Sequence, residues 1–342
     1  MKAVVLTDAR TLELADLPDP DPRPGEVLVR PHFCGICGTD LHAAEIDLFR
    51  EGVVLGHEFA GEVVAVGREV AGWEVGQLVT ANPNGHTCGA CEACRAGRLN
   101  LCQVATVERP LGVAVPGGMA ELVALHPSYL HALPDGLTTR TAAWTEPLAV
   151  AVRAVRTSPL KVGDTAAVIG GGPVGQLVVQ VLRRAGAARV LLVEPSAFRR
   201  ETALRTGADE AVTPDEMAAR LAAGEQRPVD HVFECSGFHA AVQSALELVA
   251  PGGSIRLVGM SPRPPSFDAV QAIMKEVTIL GGFIYVTEFP QAVGLLAAGA
   301  VDVAPLTSGT RPLSQFAEAF ADLRQPETAM KVLIDAQAEA TA

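Results

Sequence analysis

No apolar run in the 342-residue sequence approaches the ~18–20 residues that a membrane-spanning helix needs. There is no repeat of fixed period and no low-complexity tract, apart from a polar, Ala-rich tail from Ala336 to Ala342 that is expected to fray. The opening residues, MKAVVLTDARTLELADLPDPDPRPGEVLV, lack the basic segment and long apolar stretch of a secretory signal. The expectation is a cytoplasmic chain with no membrane partner. Positive charge is short as well: 27 Lys and Arg face 39 Asp and Glu, a net charge of −12. Such a chain repels a phosphate backbone, which sets nucleic acid aside as a partner.

What is present is a globular composition, 49% hydrophobic and 19% charged. Single cores stop growing near ~250–300 residues, so two domains are expected. The seven cysteines are poor candidates for disulfides in a reducing compartment and need another use.

The part before about Val150 is rich in Gly, Pro and short β-branched runs. Val27–Val29, Gly61–Val66 and Gln77–Thr80 read as strands, which predicts an irregular, mostly β domain. From Thr165 the pattern changes. Thr165–Ile169 is an apolar run suited to a strand buried on both faces. A glycine cluster and a helix over Val174–Arg184 follow, with Arg183 and Arg184 in its last turn. Val190–Val193, Val229–Glu234, Ser254–Val258 and Val277–Leu280 are further strands, with a helix over Ala240–Val249. This alternation predicts a doubly wound parallel sheet and an α/β fold class. Near the end, Gln315–Asp322 reads as a helix and Met330–Ile334 as a strand.

Cys88, Cys91, Cys94 and Cys102 lie within 15 residues, spaced C-x2-C-x2-C-x7-C. Four thiolates in a loop bent at Gly85, Gly89 and Gly97 can close around one tetrahedral Zn²⁺. An iron–sulfur cluster is the competing use of the same ligands. With no open ligand position, such a metal would be structural.

A second group is Cys37-Gly-Thr39-Asp40-Leu-His42, followed by Gly56-His57-Glu58 and later by Thr145-Glu146-Pro147. Together these offer one thiolate (Cys37), one imidazole (His57) and one or two carboxylates (Glu58, Glu146). Three protein ligands plus an open position is the composition of a catalytic zinc site, where the ion acts as a Lewis acid. Thr39 and His42 place a hydroxyl and an imidazole just beyond a ligand, as a proton relay requires. Asp40 could orient a ligand from behind.

Gly170-Gly171-Gly172-Pro173-Val174-Gly175 fits G-x-G-x-x-G. It follows a buried strand, opens a helix, and is succeeded ~20 residues later by Glu194 at the end of the next strand. Gly170 suits the tight turn, Gly172 the approach of pyrophosphate and Gly175 close helix–strand packing, with the phosphates at the helix N-terminus. A carboxylate at Glu194 would receive the adenosine ribose and repel a 2′-phosphate, favouring NAD over NADP. Arg199 and Arg200 pull the other way, since a nearby arginine accommodates that phosphate.

On these motifs, together with Gly56-His57-Glu58-Phe-Ala-Gly61-Glu-Val63, the whole chain resembles the zinc-dependent medium-chain dehydrogenases of the alcohol, sorbitol and threonine dehydrogenase superfamily. The resemblance implies a GroES-like mostly-β catalytic domain at 1–152 with its structural-zinc lobe at 88–102. It also implies a Rossmann domain at 153–288 and a segment at 289–342 that returns to the first domain. Cys37 and His57 match catalytic zinc ligands, and Glu58 a ligand that binds in some states only. Thr39 and His42 match relay positions. Lys331 matches a basic residue near the cofactor phosphates or ribose.

Glu146, in Glu-Pro-Leu, stands where simple alcohol dehydrogenases carry a cysteine. It resembles the polyol, butanediol and threonine dehydrogenase branch, whose harder site suits a substrate presenting two oxygens. The implied activity is reversible NAD-linked oxidation of a secondary alcohol to a ketone in a homodimer or homotetramer. Alternatives on the same fold are a biosynthetic dehydrogenase of a natural-product alcohol and a C=C reductase; outside enzymes, a non-catalytic NAD- and zinc-binding protein. The segment between His42 and Gly56 is short, and Ile46, Leu48 and Phe49 are expected to border the substrate pocket. Cys34 is expected to be a buried neighbour, and Cys235 to line the cofactor crevice.

Overall fold

A computed structural model describes residues 1–45, 47–261 and 263–338. Its centre is a six-stranded sheet. The spatial order is Glu210–Val212, Arg189–Val193, Thr165–Ile169, Val229–Glu234, Val249–Leu257 and Thr278–Gly281. Every pairing is parallel. The chain starts at Thr165–Ile169, winds to one side, then returns to Val229–Glu234 on the other. That reversal leaves a crevice beyond the carboxyl ends of these two strands, where ligands bind in doubly wound sheets. Val190, Leu191, Leu192, Val232 and Phe233 are buried, as strands covered on both faces demand. The helix Pro173–Arg184 starts on a proline, which lacks the N–H that would be orphaned there. It seats Leu177, Val178, Val179 and Leu182 against the sheet.

The second sheet has the order Thr307–Pro312, Lys331–Asp335, Val27–Gly35, Glu58–Val66, Leu78–Ala81 and Leu130–Ala132, with Val123–Leu125 also on Val27–Gly35. Its first two strands come from the end of the chain: Leu333 lies opposite Gly35 and Ile334 opposite Cys34, antiparallel. The strand that begins at Val27 extends well past Val29. The register shifts at Pro31, and a bulge is where a strand tolerates proline.

One helix was absent from the reading of the first part as mostly β. Thr145–Arg156 buries Leu148, Ala149, Ala151, Val152 and Val155 and carries no side-chain N-cap. A proline in its first turn and the missing cap leave no start signal in the sequence. It packs on both Pro173–Arg184 and Glu288–Ala297, so its first turn faces the second sheet while its body belongs to the core of the first. Among the described residues no helix is long and apolar enough to cross a membrane.

Candidate active site

The turn after Val27–Gly35 delivers Cys37 to the N-terminus of the short helix Gly38–Leu41. Asp40 Oδ2 accepts from the Cys37 N–H at 2.8 Å, fixing that turn. Gly56, at φ +95°, lets the chain enter the next strand; a Cβ there would collide with Cys34 Sγ and Met119. This places His57 and Glu58 beside Cys37. One donor atom from each of Cys37, His57 and Glu58 lies within 4.8 Å of the others.

Glu146 stands outside this close trio. It is buried in the first turn of Thr145–Arg156, and its charge acts on His57. Lys331, expected near the cofactor phosphates or ribose, reaches into this cluster. Its buried Nζ donates to Glu58 Oε2 at 2.6 Å and to the Ile36 carbonyl at 2.9 Å. The reason is register: pairing Leu333 with Gly35 brings Lys331 alongside the Cys37 turn.

The cluster is crowded with acids. Burial raises the Asp40 carboxyl, against the His57 imidazole and the Cys37 N–H. Burial also lifts Glu146 to about 7, with His57 opposing and Glu58 adding to the rise. Burial disfavours the His57 imidazolium, yet Asp40 and Cys37 outweigh it and hold its pKa well above the usual value. His57 Nδ1 and Asp40 Oδ1 are 3.5 Å apart, and both lack a hydrogen-bond partner among the described residues. Four acidic groups around one lysine and one imidazole leave buried charge that a cation would neutralise. The thiolate, imidazole and carboxylate donors fit Zn²⁺, with Asp40 behind His57 as the orienting carboxylate.

Thr39 is half-buried on the Gly38–Leu41 helix, and His42 caps its exposed end. His42 Nδ1 lies 2.8 Å from Glu45 Oε2, a partner that the sequence reading did not name, and this contact lowers the Glu45 carboxyl. Phe49, expected at the pocket, is buried in the core of the second sheet, while Leu48 is exposed. Ile46 lies outside the described residues.

In the loop after Leu78–Ala81, the sulfurs of Cys88, Cys91, Cys94 and Cys102 all lie within 4.8 Å of one another. Backbone N–H groups turn inward: Cys91 N to Cys88 Sγ at 3.3 Å, Cys94 N to Cys91 Sγ at 3.4 Å and Cys88 N to Cys102 Sγ at 3.4 Å. Donors from Ala90 and Cys91 bring the Cys88 thiol down to about 6, while burial and the neighbouring thiols push Cys94 up to about 12. Gly89 and Gly97 take positive φ, +67° and +71°. Gly85 does not bend the chain so; it permits a close approach, since a Cβ there would strike the Ser128 carbonyl. All seven cysteines are free thiols, Cys34 among the buried ones. The lobe has the shape of a closed tetrathiolate site.

The crevice of the parallel sheet is a cavity of about 550 Å³ lined by Gly170, Gly172, Glu194, Ser196, Arg199 and Cys235, among others. Gly170 turns at φ +97°, and a Cβ on Gly175 would strike the Gly170 carbonyl. A Cβ on Gly172 would meet nothing within 4 Å, so that face is open to a ligand. Pro173 starts the helix and Val174 packs beneath it. Buried Glu194 accepts from Gly171 N–H at 2.6 Å and Ser196 N–H at 2.9 Å. Arg199 reaches the Ala329 carbonyl at 3.4 Å, and Arg200 donates to the Glu194 and Pro195 carbonyls at 2.8 and 2.5 Å.

Sequence reasoning missed Tyr285. This residue is 3% exposed, and its hydroxyl has no partner among the described residues. Burial first, then the charge of Glu146, pushes its ionisation well above the usual range. An isolated tyrosine in a loop carries no pattern that spacing could reveal.

Metal analysis of the purified protein is expected to find two zinc ions per chain. Cys37→Ser should lose one of them and nearly all turnover while keeping the native circular dichroism; full turnover in that variant would contradict the assignment.

The family model described as "Alcohol dehydrogenase GroES-like domain" matches residues 23–135, and the one described as "Zinc-binding dehydrogenase" matches residues 173–298. The chain is 36% identical to 2-dehydro-3-deoxy-L-galactonate 5-dehydrogenase of Pseudoalteromonas atlantica, over 93% of this chain and 94% of the relative. It is 34% identical to sorbitol dehydrogenase of Bacillus subtilis, over 94% and 92%. A zinc-binding dehydrogenase of Sinorhizobium meliloti 1021, solved bound to NADP, superposes with a TM-score of 0.91 at 32% identity, covering 98% of each chain. With its mostly antiparallel and Rossmann-like sheets, this chain belongs to the zinc-dependent medium-chain alcohol dehydrogenase superfamily, oxidoreductases that act on CH–OH groups with a nicotinamide dinucleotide.

Proposed function

We propose that the protein interconverts a secondary alcohol carrying a second oxygen or nitrogen — a polyol, vicinal diol, cyclitol or amino alcohol — and its ketone, with NAD as the cofactor. The observation that carries this reading is the carboxylate-rich character of the buried cluster. Glu58 and Glu146 accompany one thiolate and one imidazole there, and oxygen-rich sites suit hard, oxygen-bearing ligands. Tyr285, which feels the charge of Glu146, shares with Asn82, Asn84, Asn100, Ser128 and His131 the wall of a cavity of about 190 Å³. Burial lowers the His131 pKa, which keeps that lining uncharged near neutrality. Amides and hydroxyls suit a neutral, hydroxyl-bearing molecule. The sorbitol dehydrogenase relative agrees with this class.

Cys37, His57 and one or both glutamates would hold zinc. When bound, zinc would supply Lewis acidity and NAD the hydride acceptor. The chain's own residues do the rest. Lys331 holds Glu58 in place by a buried ion pair. Thr39, on the inner side of its helix, passes the substrate's hydroxyl proton outward, and His42 at the solvent end releases it. Glu45 on Nδ1 leaves His42 Nε2 as the exchanging nitrogen. The two sheets exclude water from between them.

The preference for NAD rests on Glu194, a buried carboxylate with no salt-bridge partner among the described residues. Arg200 is engaged by the Glu194 and Pro195 carbonyls, while Arg199, on the crevice wall with its buried Nε unpartnered among the described residues, is the one arginine placed to meet a 2′-phosphate.

The same reading makes the assembly a homodimer or homotetramer built on the free edge of the parallel sheet. Thr278–Gly281 is an edge strand, and Met260, Val270, Ile273 and Met274 are exposed close to it in sequence. An unprotected edge flanked by apolar residues pairs readily with a second copy about a two-fold axis. Sedimentation velocity should show a dimer or a multiple of it, and Ile273→Glu should shift it toward monomer. A wild-type monomer would exclude this interface.

A panel of diols, polyols, cyclitols and L-threonine, read by NADH absorbance, tests the reaction. Turnover is expected with at least one of them, faster with NAD than with NADP. Glu194→Ser should narrow that gap roughly tenfold, the equivalent of about 1.4 kcal/mol. Turnover of activated alkenes with no alcohol oxidation would overturn the proposal.

A further inference from the structure

The loop that carries Tyr285 is pinned from both sides. After it, Val286 N–H and Thr287 N–H donate to Glu288 Oε2 at 2.7 and 3.0 Å. Glu288 Oε1 meets Arg156 at 3.0 Å and Arg153 at 3.4 Å. Glu288 is completely buried, and both arginines lie on Thr145–Arg156, the helix whose first turn holds Glu146. This side of the loop therefore moves with Glu146.

Before Tyr285, the anchor comes from elsewhere. Asn100 Nδ2 donates to the Phe283 carbonyl at 2.9 Å, across 183 residues of sequence. Asn100 is buried in the short turn Leu99–Leu101, two residues ahead of Cys102. The 190 Å³ cavity separates the four-cysteine lobe from the loop here, with Asn100 and Tyr285 both on its wall. Packing is interrupted at that void, so a directional hydrogen bond across it has more to fix than it would in a filled core.

We propose that Asn100 is a positioning residue that couples the four-cysteine lobe to the active site by setting the place of Tyr285. The lobe has little core of its own: Cys88 is exposed and Cys91 and Cys94 are only half-buried. Its shape depends on the four sulfurs being held together, and the position of Asn100 depends on that shape. The state of the lobe is thus transmitted through Asn100 and Phe283 to a buried hydroxyl on the Glu146 side of the catalytic cluster. The lobe serves the geometry of substrate binding as well as the stability of its own loop. This coupling rests on the active-site reading only in giving Tyr285 a place beside the substrate.

The chain has two tyrosines, Tyr129 and Tyr285, so fluorotyrosine labelling yields two fluorine resonances, assigned with Tyr285→Phe. Tyr129 donates to the Arg109 carbonyl at 2.6 Å and serves as the internal reference. The spectra are compared for the zinc-loaded wild type, for Asn100→Asp, which keeps the shape and removes the donor, and for Asn100→Ala. Metal content is measured on each sample. Both variants are expected to retain two zinc ions while the Tyr285 resonance shifts or broadens and that of Tyr129 stays. Hydrogen exchange at residues 282–287 should quicken at least several-fold. With sorbitol or the best-used diol, KM should rise several-fold while kcat changes less. A Tyr285 resonance unmoved in both variants, or one that moves only in samples that have lost zinc, would overturn the coupling. The resonance and exchange readouts need no substrate, so they stand or fall separately from the identity of the alcohol.

Discussion

Buried negative charge is the constraint around which this molecule is arranged. Cys37, Asp40, Glu58 and Glu146 converge in one cluster where burial raises the Asp40 and Glu146 carboxyls, and Lys331 and His57 are the cationic partners within reach. Such a cluster is costly unless it is neutralised. His57 Nδ1 and Asp40 Oδ1 face each other at 3.5 Å, which leaves the other imidazole nitrogen to the cluster. A divalent cation held by Cys37, His57 and a carboxylate would neutralise it, and an open position on that ion would supply Lewis acidity. Structure and chemistry here come from one source.

The fold serves this cluster by bringing distant chain segments together. Cys37 follows one strand of the second sheet, His57 and Glu58 begin the next, and Lys331 begins a strand contributed by the chain's end. Glu146 arrives from a helix whose body packs with the parallel sheet's own helices. The arrangement joins the metal ligands to the cofactor crevice through a few rigid elements. Gly175 under Gly170 and Glu194 against Gly171 hold the rim of that crevice. Segment 326–329 touches Ser196 and Arg199 from the other side. The rim of the crevice and the strand that carries Lys331 are therefore tied together.

Chemistry carried by contiguous residues was legible in the sequence. Four cysteines in one loop, or a glycine turn between strand and helix followed by an acid, impose spacings that few other structures need. The parallel strands were legible for the same reason, since burial on both faces demands unbroken apolar runs. Contacts far apart in sequence were not legible. Lys331 lies 273 residues from Glu58, and only the register of the final strand decides that its amine meets that carboxylate. Phe49 reads as a pocket residue by position but is claimed by the core. Tyr285, Asn100 and Glu288 act through loop geometry that leaves no periodicity. The helix at Thr145–Arg156 was hidden by its uncapped Glu-Pro start.

The central claim is that the Cys37, His57 and carboxylate cluster is a metal centre distinct from the four-cysteine lobe. Anomalous diffraction at the zinc edge, from crystals of the active, zinc-replete enzyme, tests it most directly. The account predicts two peaks per chain, one among Cys88, Cys91, Cys94 and Cys102, the other touching Cys37 and His57 with Glu58 or Glu146 beside it. A fully active enzyme with a peak only at the four cysteines would contradict it.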